Sequence, residues 1–148
     1  MPQPCRSLLV HKTDMTSTLE KFHQDRIHLQ VLRTETEGNI YFREVLLLLD
    51  KTEAPVEFGI IQIYLERFPA AAVKAILEAR LPLGRLLHDY SVPYASSPRG
   101  FFEVTPEQET CELLGMPEGQ GLFGRRNSLL NEEGKMLADI VEILPRQK

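Results

Sequence analysis

The chain has 148 residues, 43% hydrophobic and 26% charged, the composition of an ordinary globular domain; at this length folding buries roughly 70% of the unfolded surface. Acidic side chains outnumber basic ones by 21 to 17 for a net charge of -4, which argues against nucleic acid as a partner. No apolar run approaches the roughly 20 residues that cross a bilayer, and residues 1–10 lack the core of a secretory signal. Cys5 and Cys111 are spaced for neither a metal nor a disulfide framework. A cytoplasmic protein with free thiols and no membrane association is expected.

In chain order, Ser17 and Glu20 have the S/T-x-x-E spacing of a capping box, which predicts a helix over residues 16–24. Ile27, Leu29 and Val31 alternate as in a strand, and the polar stretch 34–39 reads as the turn of a hairpin. Its second arm, residues 40–49, becomes continuously apolar, as in a central strand covered on both faces. Residues 56–64 predict the next strand, Pro69 opens an alanine-rich helix to residue 79, and 84–88 one further helical turn. Residues 93–100 read as a loop, 101–104 as a short strand, and 105–120 as a surface excursion with one helical turn. Two strands, 122–130 and 136–144, flank the Asn131-Glu132-Glu133-Gly134 turn as a closing hairpin. No repeat or linker interrupts the pattern. One α+β domain over residues 1–148 is expected: a single antiparallel β-sheet with helices packed on one side and a ligand cavity between the two layers.

There is no phosphate-cradling glycine loop, no H-E-x-x-H, no paired cysteine ligands and no nucleophile elbow, so no metal or other cofactor is expected. His11, His23, His28 and His88 never fall at the spacing that puts two imidazoles on one helical face. Arg43 shares a strand face with Tyr41, Val45 and Leu47. A guanidinium buried there requires an anion, either a structural carboxylate or a ligand carboxylate held in bidentate fashion. Glu142 shares a face with Ile140 and Leu144. Among aliphatics it would hold its proton near neutrality and serve as a general acid or base, whereas on an exposed edge it would not. The adjacent Arg125 and Arg126 must point to opposite faces.

Several segments share one order with a known pattern: Asp14-Met15-Thr16 with Phe22, Arg43-Glu44-Val45-Leu46-Leu47, Pro82-Leu83-Gly84-Arg85-Leu86-Leu87, Arg99-Gly100-Phe101-Phe102-Glu103, Gly121-Leu122-Phe123-Gly124-Arg125-Arg126, and Gly134-Lys135 running to Leu144-Pro145. This ordered set resembles the chorismate lyases, particularly their shorter bacterial and archaeal relatives. The resemblance implies a cofactor-independent chorismate pyruvate-lyase that splits chorismate into 4-hydroxybenzoate and pyruvate. By the same resemblance Arg43 clamps a carboxylate of substrate or product, Met15 and Leu83 supply the wall and flaps over the ligand, and Glu142 handles a proton. The family's acid stands four residues before the closing proline, where this chain has Val141; Glu142 stands three before Pro145, and a bulge in the last strand would restore its inward direction.

Two other readings stay open. One is a non-catalytic small-acid-binding module like the effector-sensing (UTRA-like) half of some bacterial transcription regulators, and the other a lyase homologue that keeps the cavity without turnover. Those regulators carry a winged helix-turn-helix ahead of the sensor, whereas here the sensor-like pattern begins within the first residues, which favours the enzyme. A monomer is expected.

Overall fold

The computed structural model describes residues 1–147. In chain order the elements are α1 (Cys5–Leu9), α2 (Met15–His23), β1 (Ile27–Glu37), β2 (Ile40–Leu49), β3 (Pro55–Tyr64), α3 (Ala70–Glu78), α4 (Leu83–Asp89), β4 (Ala95–Val104), α5 (Gln108–Leu114), β5 (Leu122–Leu130) and β6 (Met136–Leu144). The strands form one six-stranded antiparallel sheet in the order β1-β2-β3-β6-β5-β4, with the helical layer on one side as the pattern predicts.

Strand alternation decides what that layer covers. From β2, Tyr41, Arg43, Val45 and Leu47 face the helices. Their cross-strand neighbours on β3 are Ile63, Ile61, Gly59 and Glu57, and β6 adds Ile140 and Glu142 opposite Ile61 and Gly59. The helices α3 and α4 bury Ala72, Ile76, Leu83, Leu86 and Leu87 against this face. At its other end, α1 and α2 pack Leu8, Leu9, Met15 and Leu19 on Leu47, Val56 and Leu144. The reverse face is covered at one end by Leu114 of the short α5, over Leu46, Phe58 and Ile143.

Three sequence expectations are corrected. The cap of α2 is Asp14, whose carboxylate accepts from the Ser17 amide at 2.8 Å; Glu20 of the expected capping box reaches instead to the Ile27 amide at 2.9 Å and to Arg85. The polar residues Thr34 to Glu37 belong to β1, paired with Arg43 back to Ile40, because an exposed strand end needs only a backbone partner. The turn shrinks to Gly38 and Asn39, with Gly38 at φ +60°. Residues 95–100 are strand too, on the sheet edge, where Pro98 is tolerated beside a register shift at 98–100. The short α1 has no sequence signal strong enough to predict it.

The helical layer closes on the sheet where α4 meets the start of α2. A Cβ built on Gly84 would lie 2.6 Å from Asp14 Oδ2 and 3.2 Å from Thr16 Oγ1, so only glycine lets the two helix starts touch. Gly84→Ala is expected to lower the urea midpoint even though alanine is the better helix former by about 1 kcal/mol, because it displaces the Asp14 cap, worth about 1 kcal/mol, and overpacks the contact. At Gly100, whose added Cβ meets nothing within 4 Å, the same substitution is the neutral control.

Candidate functional site

Between the sheet and the starts of α2 and α4 lies a cavity. The helix side is formed by Asp14, Met15 and Thr16 together with Pro82, Leu83 and Gly84, and the sheet contributes Arg43, Glu57, Asn127 and Glu142 among aliphatic residues. All four residues singled out from sequence, Met15, Arg43, Leu83 and Glu142, therefore line one space. About 40 Å³ of it is open to the centre of a water-sized sphere, room for a few waters. An occupant the size of an aromatic ring requires the helix side to move outward.

Arg43 is 2% exposed. One terminal nitrogen, Nη2, donates to the Leu81 carbonyl at 3.3 Å, while Nε and Nη1 have no partner among the described residues. Burial lowers its pKa, offset in part by Tyr41. Among the described residues no carboxylate completes an interior ion pair with Arg43, and two donors of a desolvated cation stay unpartnered in a residue that lines the cavity.

The other charged group is a cluster. Cross-strand pairing aligns Val45, Gly59, Glu142 and Arg125 in one row over β2, β3, β6 and β5. Gly59 has no side chain, and a Cβ there would stand 3.2 Å from Glu57 Oε2; the glycine makes the space in which Glu57 folds over the sheet toward Glu142. Both carboxyls are fully buried. The Glu57 pKa is pushed well up, first by burial and then by the Glu142 charge, which favours the protonated carboxyl. Glu142 is also raised by burial, against the pull of Arg125, whose Nε lies 3.5 Å from Glu142 Oε2. Glu142 is thus not the isolated carboxyl among aliphatics that the sequence suggests. It alternates inward with Ile140 along the regular part of β6, downstream of a bulge at the strand's start, where Leu129 pairs with Ala138 but Leu130 with Met136; Val141 and Asp139 fall on the reverse face, where Asp139 meets Arg126 at 2.7 Å.

Glu57 escaped the sequence reading. Its signal is present: in Glu57-Phe58-Gly59-Ile60-Ile61 the carboxylate occupies the parity of the inward Ile61, an acid at a core position. Asn127 is buried too and exchanges hydrogen bonds with Ser96 at 2.8 and 3.1 Å. Among the described residues no three His, Cys, Asp or Glu side chains are arranged to hold a metal ion, and no helix is long and apolar enough to cross a membrane.

No family model matches the sequence, and no curated protein matches it. Solved structures do. PhnF from Mycobacterium smegmatis superposes with a TM-score of 0.69 at 10% identity, over 91% of this chain and 64% of its own, so the chain spans less than two thirds of that protein. The ligand-binding domain of a regulator assigned to the GntR family from Bordetella bronchiseptica gives 0.61 at 12% identity, over 80% of this chain and 85% of its own. The C-terminal domain of the histidine utilization repressor from Pseudomonas syringae pv. tomato gives 0.60 at 14%, over 83% and 96%. The fold is the chorismate lyase-like one in the form that such regulatory domains share. These neighbours correct the expectation of a chorismate pyruvate-lyase: they are regulators and ligand-binding domains, and the expected proton-transferring acid, Glu142, is tied to Arg125 and Glu57.

The buried carboxyl pair has a consequence for stability. A carboxyl whose folded-state pKa is raised contributes stability that is complete below the unfolded value, 4.5 for Glu57, and is lost as pH rises through the folded one. Glu57→Gln keeps a donor toward Glu142 and cannot ionise. Its urea midpoint is expected to exceed that of the native protein at about pH 8, with the difference closing as the pH falls toward 4.5; a constant difference across this range refutes the shared-proton description.

Proposed function

We propose that this chain is a non-catalytic, cytoplasmic module, one domain over its whole length, that binds a small organic acid between its sheet and its helices. The observation that carries this reading is Arg43: a cation 2% exposed, lining the cavity, with Nε and Nη1 unpartnered. A protein gains nothing in stability from such a group, since an unpaired buried charge costs free energy and a well-packed apolar residue of its size would serve the core better. A ligand carboxylate supplies the missing acceptor, and the guanidinium fork receives it in bidentate geometry. Met15 and Leu83 form the apolar wall, and Glu142 of the carboxyl pair supplies an acceptor at the far end, two strands away or roughly 10 Å by strand spacing. The ligand class is therefore a small acid with an apolar body and a hydrogen-bond donor. Effector binding in the solved neighbours' manner agrees with this; 4-hydroxybenzoate and chorismate enter as candidate ligands.

Calorimetric titration with 4-hydroxybenzoate, benzoate and phenol tests the reading. The two acids are expected to bind and phenol is not. Arg43→Met is expected to weaken acid binding about 30-fold or more, the loss of a charge-assisted pair, while its unfolding midpoint stays level or rises. Equal binding of phenol, or full affinity in Arg43→Met, overturns it.

A further inference from the structure

Arg125 is 0% exposed, and its guanidinium is divided between two parts of the molecule. The terminal nitrogens hold the segment that joins α1 to α2: Nη1 donates to the His11 carbonyl at 2.9 Å and the Leu9 carbonyl at 3.4 Å, and Nη2 donates to the Thr13 carbonyl at 3.1 Å. His11 is prepared for this. Its Nε2–H donates to Leu8 O at 2.6 Å, which leaves Nδ1 an acceptor for Thr13 and, at 3.4 Å, for Arg125 Nη1. Burial and the Arg125 charge lower the His11 pKa, so the ring stays neutral. On the other edge of the guanidinium, Arg125 Nε faces Glu142 Oε2 at 3.5 Å, an ion pair too long to be a hydrogen bond, and both atoms lack any hydrogen-bond partner among the described residues.

The guanidinium is planar and rigid, so it cannot close the gap to Glu142 without withdrawing from the carbonyls of residues 9–13. That segment leads directly into Asp14, Met15 and Thr16, part of the cavity wall. A donor arriving at Glu142 Oε2 from the cavity satisfies that oxygen and weakens its pull on Nε.

We propose that Arg125 is a coupling residue, which transmits the charge and occupancy of the Glu57/Glu142 pair on the cavity floor to the 9–13 segment that carries the cavity wall. Neutralising or occupying Glu142 seats Arg125 on the segment and tightens it; a free Glu142 carboxylate draws Arg125 off and loosens it. The device adds regulation to the binding reading above, yet it operates without ligand, so the two fail separately.

Hydrogen exchange of residues 10–14 in the ligand-free full chain tests it, as a double-mutant cycle of Glu142→Gln and Arg125→Lys. An ammonium keeps the charge but cannot span both sides. Glu142→Gln is expected to slow exchange of the segment roughly tenfold relative to the Ile61 and Val141 amides, the scale of one charge-assisted hydrogen bond, and to have no such effect in the Arg125→Lys background. An equal effect in both backgrounds, or a change shared with Ile61 and Val141, overturns the coupling. Should Arg125→Lys fail to fold, Glu142→Asp decides: it keeps the charge one methylene further from Nε, and a segment that does not tighten overturns the proposal.

Discussion

Among the described residues, four acidic or basic side chains are buried in the layer between sheet and helices: Arg43, Glu57, Arg125 and Glu142. Charges taken out of water are costly unless each finds a partner, and much of the local architecture answers to that constraint. Arg125 is met by three backbone carbonyls and the Glu142 carboxylate. Burial and mutual repulsion raise the Glu57 pKa, and burial raises that of Glu142 against the pull of Arg125. Gly59 gives up its side chain so that Glu57 fits. Arg43 lines the cavity with no carboxylate beside it among the described residues.

The same layer sets a hydrogen-bonded sheet against a wall of helix starts. The floor is four hydrogen-bonded strands, β2, β3, β6 and β5, in which a side chain shifts only with its neighbours. The opposite side is the start of two short helices, in contact through Gly84 and Asp14 and fastened by Arg85 to Glu20 and by Tyr94 to Asp14 at 3.4 Å. The cavity has room for only a few waters, so a larger occupant would work against these fastenings rather than against the sheet.

Fold likeness separates shape from chemistry here. The fold is shared with regulatory domains at 10 to 14% identity, and at that distance a fold carries many functions. Site chemistry has to come from this chain's own side chains, which is why the unpartnered Arg43 outweighs any analogy.

Local patterns determined much of this protein from sequence. Alternation placed Arg43, Ile140 and Glu142 on inward faces, adjacent arginines had to diverge, and Pro69 and Pro82 marked where helices begin; each follows from backbone periodicity within a few residues. The ordered motifs brought Met15, Arg43, Leu83 and Glu142 into one site. What only the tertiary structure decided are contacts between residues far apart in the chain: the Leu9, His11 and Thr13 carbonyls on Arg125, Glu57 lying over Gly59 toward Glu142, and the absence of a carboxylate beside Arg43 among the described residues. The edge strand at 95–100 and the polar end of β1 belong with them, because their strand state comes from a neighbouring strand's hydrogen bonds and not from their own propensities. Whether a buried charge is paired depends on every element packed around it, and no window of sequence contains that information.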